Sequence, residues 1–322
     1  MNYKPILIVS GEPNSIFIEI FLKSFKKIKI KSPIILITSE KLFKLQMAKL
    51  KFKKQIRILK KKDLIVQTLD NKFINIINVN YDVSKAFEKI SPKSNNYIKK
   101  CFKIAFNIIK ENNFKKFING PINKKTFLNK NYYGITEYLS KKFKTQKHAM
   151  LIYNEKLAVC PLTTHVPLKL VPKKINKKLI IEKIKLINNF YKLKFNKKPK
   201  FAILGLNPHC ESTDNFNEDE KIIKPAVKQL KKNKLLITGP MSADTIFLSQ
   251  NRKKYDVIVG MYHDQVLTPI KTLYKFDAIN ITVGLPFLRI SPDHGPNDNM
   301  LGKNQSDPSS IFLAMKFIKK IK

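Results

Sequence analysis

Three histidines each close a short apolar run: His165 ends LAVCPLTTH, His209 ends FAILGLNPH, and His263 follows VIVGMY. The chain has only five histidines, so three in one local setting suggest a single site. A strand that stops and releases a reactive side chain is how α/β folds place chemistry at strand carboxyl ends. Neutral imidazole is the commonest ligand for borderline metals, and three imidazoles with an open position make a Lewis-acid centre. The spacing is no zinc-finger pattern, and HExxH is absent. Asp264, beside His263, can either orient that ring or cap the following helix.

A second set suits a small anionic substrate: Thr136, Lys271, Asn280 and Arg289. Arg289 lies between Leu288 and Ile290, where a guanidinium needs a partner; a carboxylate or phosphate fits its fork, as would an internal salt bridge. Asp244, in GPMSADT, reads as a proton-handling group or a helix cap. Neither GxGxxG nor GxxxxGK[ST] occurs, so there is no Rossmann fingerprint and no P-loop. The polar turn Asp293-His294-Gly295-Pro296-Asn297-Asp298, with Gly302 after it, can hold a dinucleotide or be a plain loop.

The elements that must position these residues alternate between strand and helix. Pro5–Ser10 reads as a strand, Ser15–Phe25 as a helix, Ile30–Ile37 as a strand and Glu40–Leu50 as a helix, which favours a largely parallel sheet covered by helices. Residues 51–80 read as a more exposed β region. Ser94–Asn112 is helical and leads to a strand at Phe117-Ile118. The pattern restarts after a hinge expected near 125–135, with strands at Met150–Tyr153 and Lys156–Val159 and a basic amphipathic helix over Ile175–Tyr191. Strands at Lys200–Leu206 and Leu235–Thr238 flank a helix at Asp219–Leu230, and Pro308–Ile321 closes the chain. The expected division is 1–130 plus about 303–322 as one α/β domain and 131–302 as another.

Composition narrows the function classes. The 322 residues include 43% hydrophobic and 27% charged side chains, a globular balance. No apolar run reaches the ~18–20 residues of a membrane span. Three scattered cysteines without a CxxC pair fit a reducing cytoplasm. The formal charge of +40 invites a nucleic-acid reading. However, only three of the 63 basic residues are arginines (Arg57, Arg252, Arg289), and the segment 201–300 is nearly neutral. The lysine excess therefore reads as solvated surface, with no specific nucleic acid as partner.

Taken jointly, GEP at 11–13, PINK at 121–124, TEY at 136–138, TTHVPL at 163–168, GLNPH at 205–209, GP..AD at 239–244, MYHDQ at 261–265, Lys271, NIT.GLPF.R at 280–289 and DHG at 293–295 resemble the 4-hydroxythreonine-4-phosphate dehydrogenases of pyridoxine biosynthesis. The resemblance spans essentially the whole chain. It implies an α/β/α layered sheet related to isocitrate and isopropylmalate dehydrogenases, with two subdomains, a cleft between them, and a homodimer whose active sites are shared. It places a divalent metal (zinc, magnesium or cobalt) on His165, His209 and His263, one of them from the partner subunit. Substrate would meet Thr136, Lys271, Asn280 and Arg289, with Asp244 and Lys271 as catalytic candidates. NAD or NADP would lie on the loop carrying His294, Gly295, Asp298 and Gly302.

There are two departures from the family pattern. Ile135 stands where the family usually has histidine, so one polar substrate contact is missing. After GLNPH, the glycine-free CESTDNFNEDE replaces a small, glycine-rich stretch. The expected reaction is oxidation of 4-phosphooxy-L-threonine to 2-amino-3-oxo-4-phosphooxybutanoate, which loses CO₂ to give 3-amino-2-oxopropyl phosphate. The alternatives are a dehydrogenase of a 4-phosphorylated threonate or erythronate, a basic nucleic-acid-binding protein, and a metal-dependent lyase or aldolase.

Overall fold

The structure is a computed structural model and describes residues 3–64, 69–123, 127, 132, 134–213, 216–292 and 294–321. Asp293 and most of the expected hinge at 125–135 lie outside the described residues. The chain divides into two compact units, Met1–Tyr132 with Pro286–Lys322, and Tyr133–Leu285. The return to the first unit therefore comes at Pro286, earlier than the expected position near 303. Arg289 and the His294–Gly302 loop fall in the first unit because the strand that carries Arg289 pairs there.

The first unit is a parallel sheet of β1 (Ile6–Val9), β2 (Ile34–Thr38), β3 (Ile56–Ile58), β4 (Ile74–Asn78), β5 (Lys116–Asn119) and β12 (Leu288–Pro292), in the order β3-β4-β2-β1-β5-β12. Ile6 pairs with Ile34 on one side and Lys116 on the other, and Lys116 also pairs with Leu288. Every residue of β1, β2 and β12 is buried. Continuous apolar runs of this kind are what a parallel sheet covered on both faces requires. β4 lies between β2 and β3, so the region read as exposed contributes an interior strand. Helices α1 (Phe17–Lys27), α2 (Glu40–Lys49) and α3 (Ser94–Glu111) accompany this sheet. α1 buries Phe17, Ile20 and Phe21, and Ser39 caps α2 by accepting from Leu42 N–H.

The second unit contains β6 (Ala149–Tyr153), β7 (Ala158–Pro161), β8 (Phe201–Leu204), β9 (Ile237–Met241), β10 (Val257–Gly260) and β11 (Ile279–Val283), in the order β11-β6-β7-β10-β8-β9. Here β6 runs antiparallel to both neighbours. Four residues join β6 to β7, far fewer than the dozen a parallel crossover needs, so the chain makes a hairpin closed by Asn154 N–H to Leu157 O (3.1 Å). Its helices are α4 (Ile135–Lys142), α5 (Lys177–Phe195), α6 (Lys224–Lys232) and α7 (His263–Tyr274). The helix read at Asp219–Leu230 starts as a π-helical turn, Asp219–Ile223, and becomes α6 near Pro225. α7 packs Val266, Leu267 and Ile270 on Met150, Ile152, Val159, Ala202 and Ile258. α5 lies against β6 and β11. In both units a sheet is flanked by helices, the α/β/α layering the sequence implied. The closing helix α8 (Ser309–Lys320) belongs to the first unit. Among the described residues, no helix is long and apolar enough to cross a membrane.

Candidate active site

β7, β10, β8 and β9 are neighbours in the second sheet, and their carboxyl ends lead directly to His165, His263, His209 and Asp244. A ladder of hydrogen bonds holds these four loops in register. Thr163 donates to Met261 O through both its N–H (3.1 Å) and its hydroxyl (2.7 Å), tying the His165 loop to the His263 loop. Gln265 accepts from Met261 N–H (2.7 Å) and donates to Gly205 O (2.8 Å), tying the His263 loop to the His209 loop. Gly205 N–H then donates to Met241 O (2.9 Å), reaching the strand before Asp244. The frame is made almost wholly of backbone groups and two side chains, so it stays satisfied while the chemistry-bearing side chains point elsewhere.

The rings of His165 and His263 lie side by side, with centroids 5.5 Å apart. His263 Nδ1 donates to Asp264 Oδ1 (2.6 Å), which leaves its Nε2 lone pair available. This decides between the two roles read for Asp264, because no side-chain cap is made at the start of α7. His209 is exposed and sits in a left-handed turn (φ 54°), followed by Cys210 with φ 65°. Fully buried Asp219 holds that turn, accepting from Leu206 N–H (2.8 Å), Asn207 N–H (3.1 Å) and the Asn207 amide (3.0 Å). The glycine-free segment after GLNPH thus supplies the anchor of the His209 loop. Among the described residues, no three His, Cys, Asp or Glu side chains gather into a metal-holding group. Within the chain, His165 and His263 come together, and exposed His209 sits in its own left-handed turn; the resemblance expected one of the three ligands from the partner subunit. The paired imidazoles fit a divalent cation as two nitrogen donors of a larger set.

The substrate candidates divide between the units. In the second unit, Thr136 is buried at the start of α4, and its hydroxyl lies 3.2 Å from that of Thr282 on β11. Asn280, two residues before Thr282, shares that face of β11; its partner across the strand is Ile152, which faces α7. The Asn280 amide oxygen is buried and accepts no hydrogen bond among the described residues. Lys271 is half-buried in the last turn of α7, and Ile135 is half-buried as the first residue of α4. In the first unit, Arg289 is fully buried on β12 and donates through Nε to Asn119 Oδ1 (2.8 Å).

Asp244 is exposed in a turn, accepting from Ser242 Oγ (2.6 Å), and caps no helix. That hydroxyl, assisted by the charge of nearby His209, holds its carboxyl below the usual range, so it is kept ionised and binds a proton less tightly than a free carboxylate does. In the cofactor candidate loop, His294 Nδ1 bonds Gly295 O (2.8 Å), Ile16 N–H donates to Pro296 O (3.1 Å), and Asp298 opens a 3₁₀ turn, all within the first unit. A Cβ on Gly302 would press on the Phe87 ring at 3.1 Å, whereas one on Gly295 would meet nothing within 4 Å. Among the described residues, then, no neighbour requires Gly295 to lack a side chain.

The site groups lie at strand carboxyl ends of an α/β/α protein, in a chain with no Rossmann fingerprint. Residues 29–318 match the family described as pyridoxal phosphate biosynthetic protein PdxA. A 4-hydroxythreonine-4-phosphate dehydrogenase from Sulfurihydrogenibium sp. (strain YO3AOP1) is 39% identical over 315 residues, covering 96% of each chain. A D-threonate 4-phosphate dehydrogenase from Pectobacterium atrosepticum is 30% identical over 247 residues, 75% of this chain and 76% of that one. The crystal structure of a 4-hydroxythreonine-4-phosphate dehydrogenase from Klebsiella pneumoniae superposes with a TM-score of 0.82 at 26% identity, covering 99% of both chains. Isocitrate dehydrogenase from Methylococcus capsulatus shares the fold at 9% identity, with a TM-score of 0.51 over 98% of this chain and 84% of that one. The chain belongs to the pyridoxal phosphate biosynthetic protein PdxA family, and it is an oxidoreductase.

Three residues that support the site escaped the sequence reading. Gln265 and Glu137 are embedded in the motifs YHDQ and TEY, beside residues whose types point more directly to chemistry. Asp219 lies in the glycine-free segment after GLNPH, which departs from the family pattern. A glutamine between two strand-end loops is visible in sequence only as a polar residue after a histidine, and its two bonds are a property of the fold.

Proposed function

We propose that this protein oxidises 4-phosphooxy-L-threonine at its C3 hydroxyl with NAD⁺ or NADP⁺, assisted by a divalent cation, in a homodimer with shared sites. The carrying observation is the His165–His263 pair, 5.5 Å between ring centroids, at the ends of two adjacent strands. When bound, the nicotinamide takes up the hydride and the cation favours the alkoxide form of the hydroxyl. His165 and His263 would hold the cation, with Asp264 fixing the tautomer of His263. His209, exposed in its own turn and in no three-residue cluster with the pair among the described residues, would serve the partner's site. Asn280, whose amide oxygen lacks an acceptor role among the described residues, would meet a substrate N–H or O–H, and Lys271 and Thr136 would hold anionic groups on the same face. Arg289 would act from within β12 and Asp244 would take the hydroxyl proton. The His294–Gly302 loop would receive the cofactor at Gly295. The β-keto acid formed then loses CO₂.

The test is NADH formation from 4-phosphooxy-L-threonine with and without a chelator. NADH should appear and the chelator should abolish it; no NADH with this substrate, or full turnover in chelator, contradicts the proposal. A second reading, a D-threonate 4-phosphate dehydrogenase, is favoured by Ile135 and by the Pectobacterium relative. The ratio of kcat/KM for the amino and hydroxy substrates separates the two.

A further inference from the structure

We propose that Glu137 is a positioning residue for His165, holding the ring by its Nδ1 edge so that Nε2 faces the site; this rests on the reading of His165 given above. Glu137 is the third residue of α4, where a glutamate ordinarily reaches back to the N–H of the cap residue. Here it does something else. Glu137 Oε1 accepts from the hydroxyl of Thr164 (2.9 Å), the residue immediately before His165. Its other oxygen, Oε2, is buried and has no hydrogen-bond partner among the described residues. A buried carboxylate oxygen with nothing to accept from carries a full desolvation penalty.

The cap residue, Gly134, shows where that oxygen is aimed. A Cβ placed on Gly134 would lie 2.8 Å from Glu137 Oε2 and 2.9 Å from both Nδ1 and Cε1 of His165. The free oxygen and the Nδ1 edge of the ring thus converge on the space left by the missing side chain. The φ of Gly134 is −165°, extended backbone that any residue adopts, so its conformation does not call for glycine. The buried Lys183 of α5 lies within electrostatic reach of Glu137, as does half-buried His148, so the carboxylate is set in a charged cluster and not in an apolar wall. The arrangement parallels the other half of the pair. Asp264, an exposed carboxylate, holds Nδ1 of His263; Glu137, on a different element, is placed to hold Nδ1 of His165.

The experiment uses metal-free, ¹⁵N-histidine-labelled protein, with the His165 resonances assigned by a His165→Gln variant. Long-range ¹H–¹⁵N spectra should show the wild-type ring protonated at Nδ1 and bare at Nε2. Glu137→Met should move the proton to Nε2 and weaken Zn²⁺ binding, read against a chromophoric chelator, by roughly 10–100-fold. Glu137→Gln, which keeps an acceptor, should restore the Nδ1–H form. Gly134→Ala should reproduce Glu137→Met by wedging a methyl group between carboxylate and ring, and it serves if Glu137→Met does not fold. A wild-type ring protonated at Nε2 overturns the proposal, as does a Glu137→Met protein with unchanged tautomer and unchanged Zn²⁺ affinity. If wild-type protein binds no Zn²⁺, the metal reading fails separately, and the tautomer still decides the role of Glu137.

Discussion

The two units use the same parallel strand ends in opposite ways. In the first, the ends of β1 and β5 are fused to each other. Glu12 N–H donates to Pro121 O (2.8 Å), and a Cβ on Gly120 would fall 2.1 Å from Ser10 O. Buried Glu12 accepts from Ser94 Oγ (3.0 Å) and Asn14 N–H (3.3 Å), and burial pushes its carboxyl up. The Tyr97 hydroxyl gathers Ser10, Thr38 and the Ser39 N–H. Polar groups there satisfy one another. In the second unit the backbone ladder through Thr163, Met261, Gln265 and Gly205 does the satisfying, and His263 and Asp264 are left partly or largely exposed (33% and 78%). Strand ends become a site where the loops are held by groups other than the reactive ones.

If that contrast is right, substitutions should separate activity from stability by unit. The largest effect expected is His263→Ala. Turnover should fall by more than the roughly 10–100-fold that loss of an outer ligand partner costs, while the urea midpoint stays near wild type. Equal loss of both would break the comparison. In the first unit, Gly120→Ala should cost up to about 3 kcal/mol by overpacking against Ser10 O and the Phe17 ring. Urea unfolding measures it, and a neutral result would mean that the loops part easily.

The legible part of this protein is the part fixed by local pattern. The buried strand runs and the βα alternation of the first unit follow from periodicity, and the three histidines stood out by rarity and setting. Three features were hidden. The β6–β7 hairpin depends on a four-residue link whose direction the strand patterns do not state. The return of the chain at Pro286 depends on β12 pairing with β5, a contact between residues about 170 positions apart in sequence. The frame around the histidines depends on a few hydrogen bonds made by Gln265, Asp219 and Glu137, residue types that are unremarkable anywhere else.

Smaller effects sharpen the same contrast. Gln265→Leu should leave Met261 N–H and Gly205 O without their shared partner, costing about 1–3 kcal/mol. It should also raise KM for the cation more than it lowers kcat at saturating cation; an unchanged midpoint would mean the ladder holds without it. The least effect is a pH dependence from His148. Burial, with the charge of Lys183 adding to it, lowers its pKa below 6.5, and its Nδ1 has no partner among the described residues. The unfolded chain then binds the proton more tightly, so stability is lost as pH falls from 6.5 through the folded value. His148→Leu should flatten that part of the urea-midpoint profile, and an unchanged profile would assign the acid sensitivity elsewhere.

The central claim is that His165 and His263 act together while His209 of the same chain serves another site. Subunit mixing tests it directly. His209→Ala and His263→Ala proteins, each inactive alone, are exchanged in equal amounts and assayed for NADH formation. A shared site regains about a quarter of wild-type activity, because half the dimers are mixed and each restores one of two symmetric sites. Activity that stays at the level of the separate variants would mean that all three histidines serve one chain's own site, and would contradict the account.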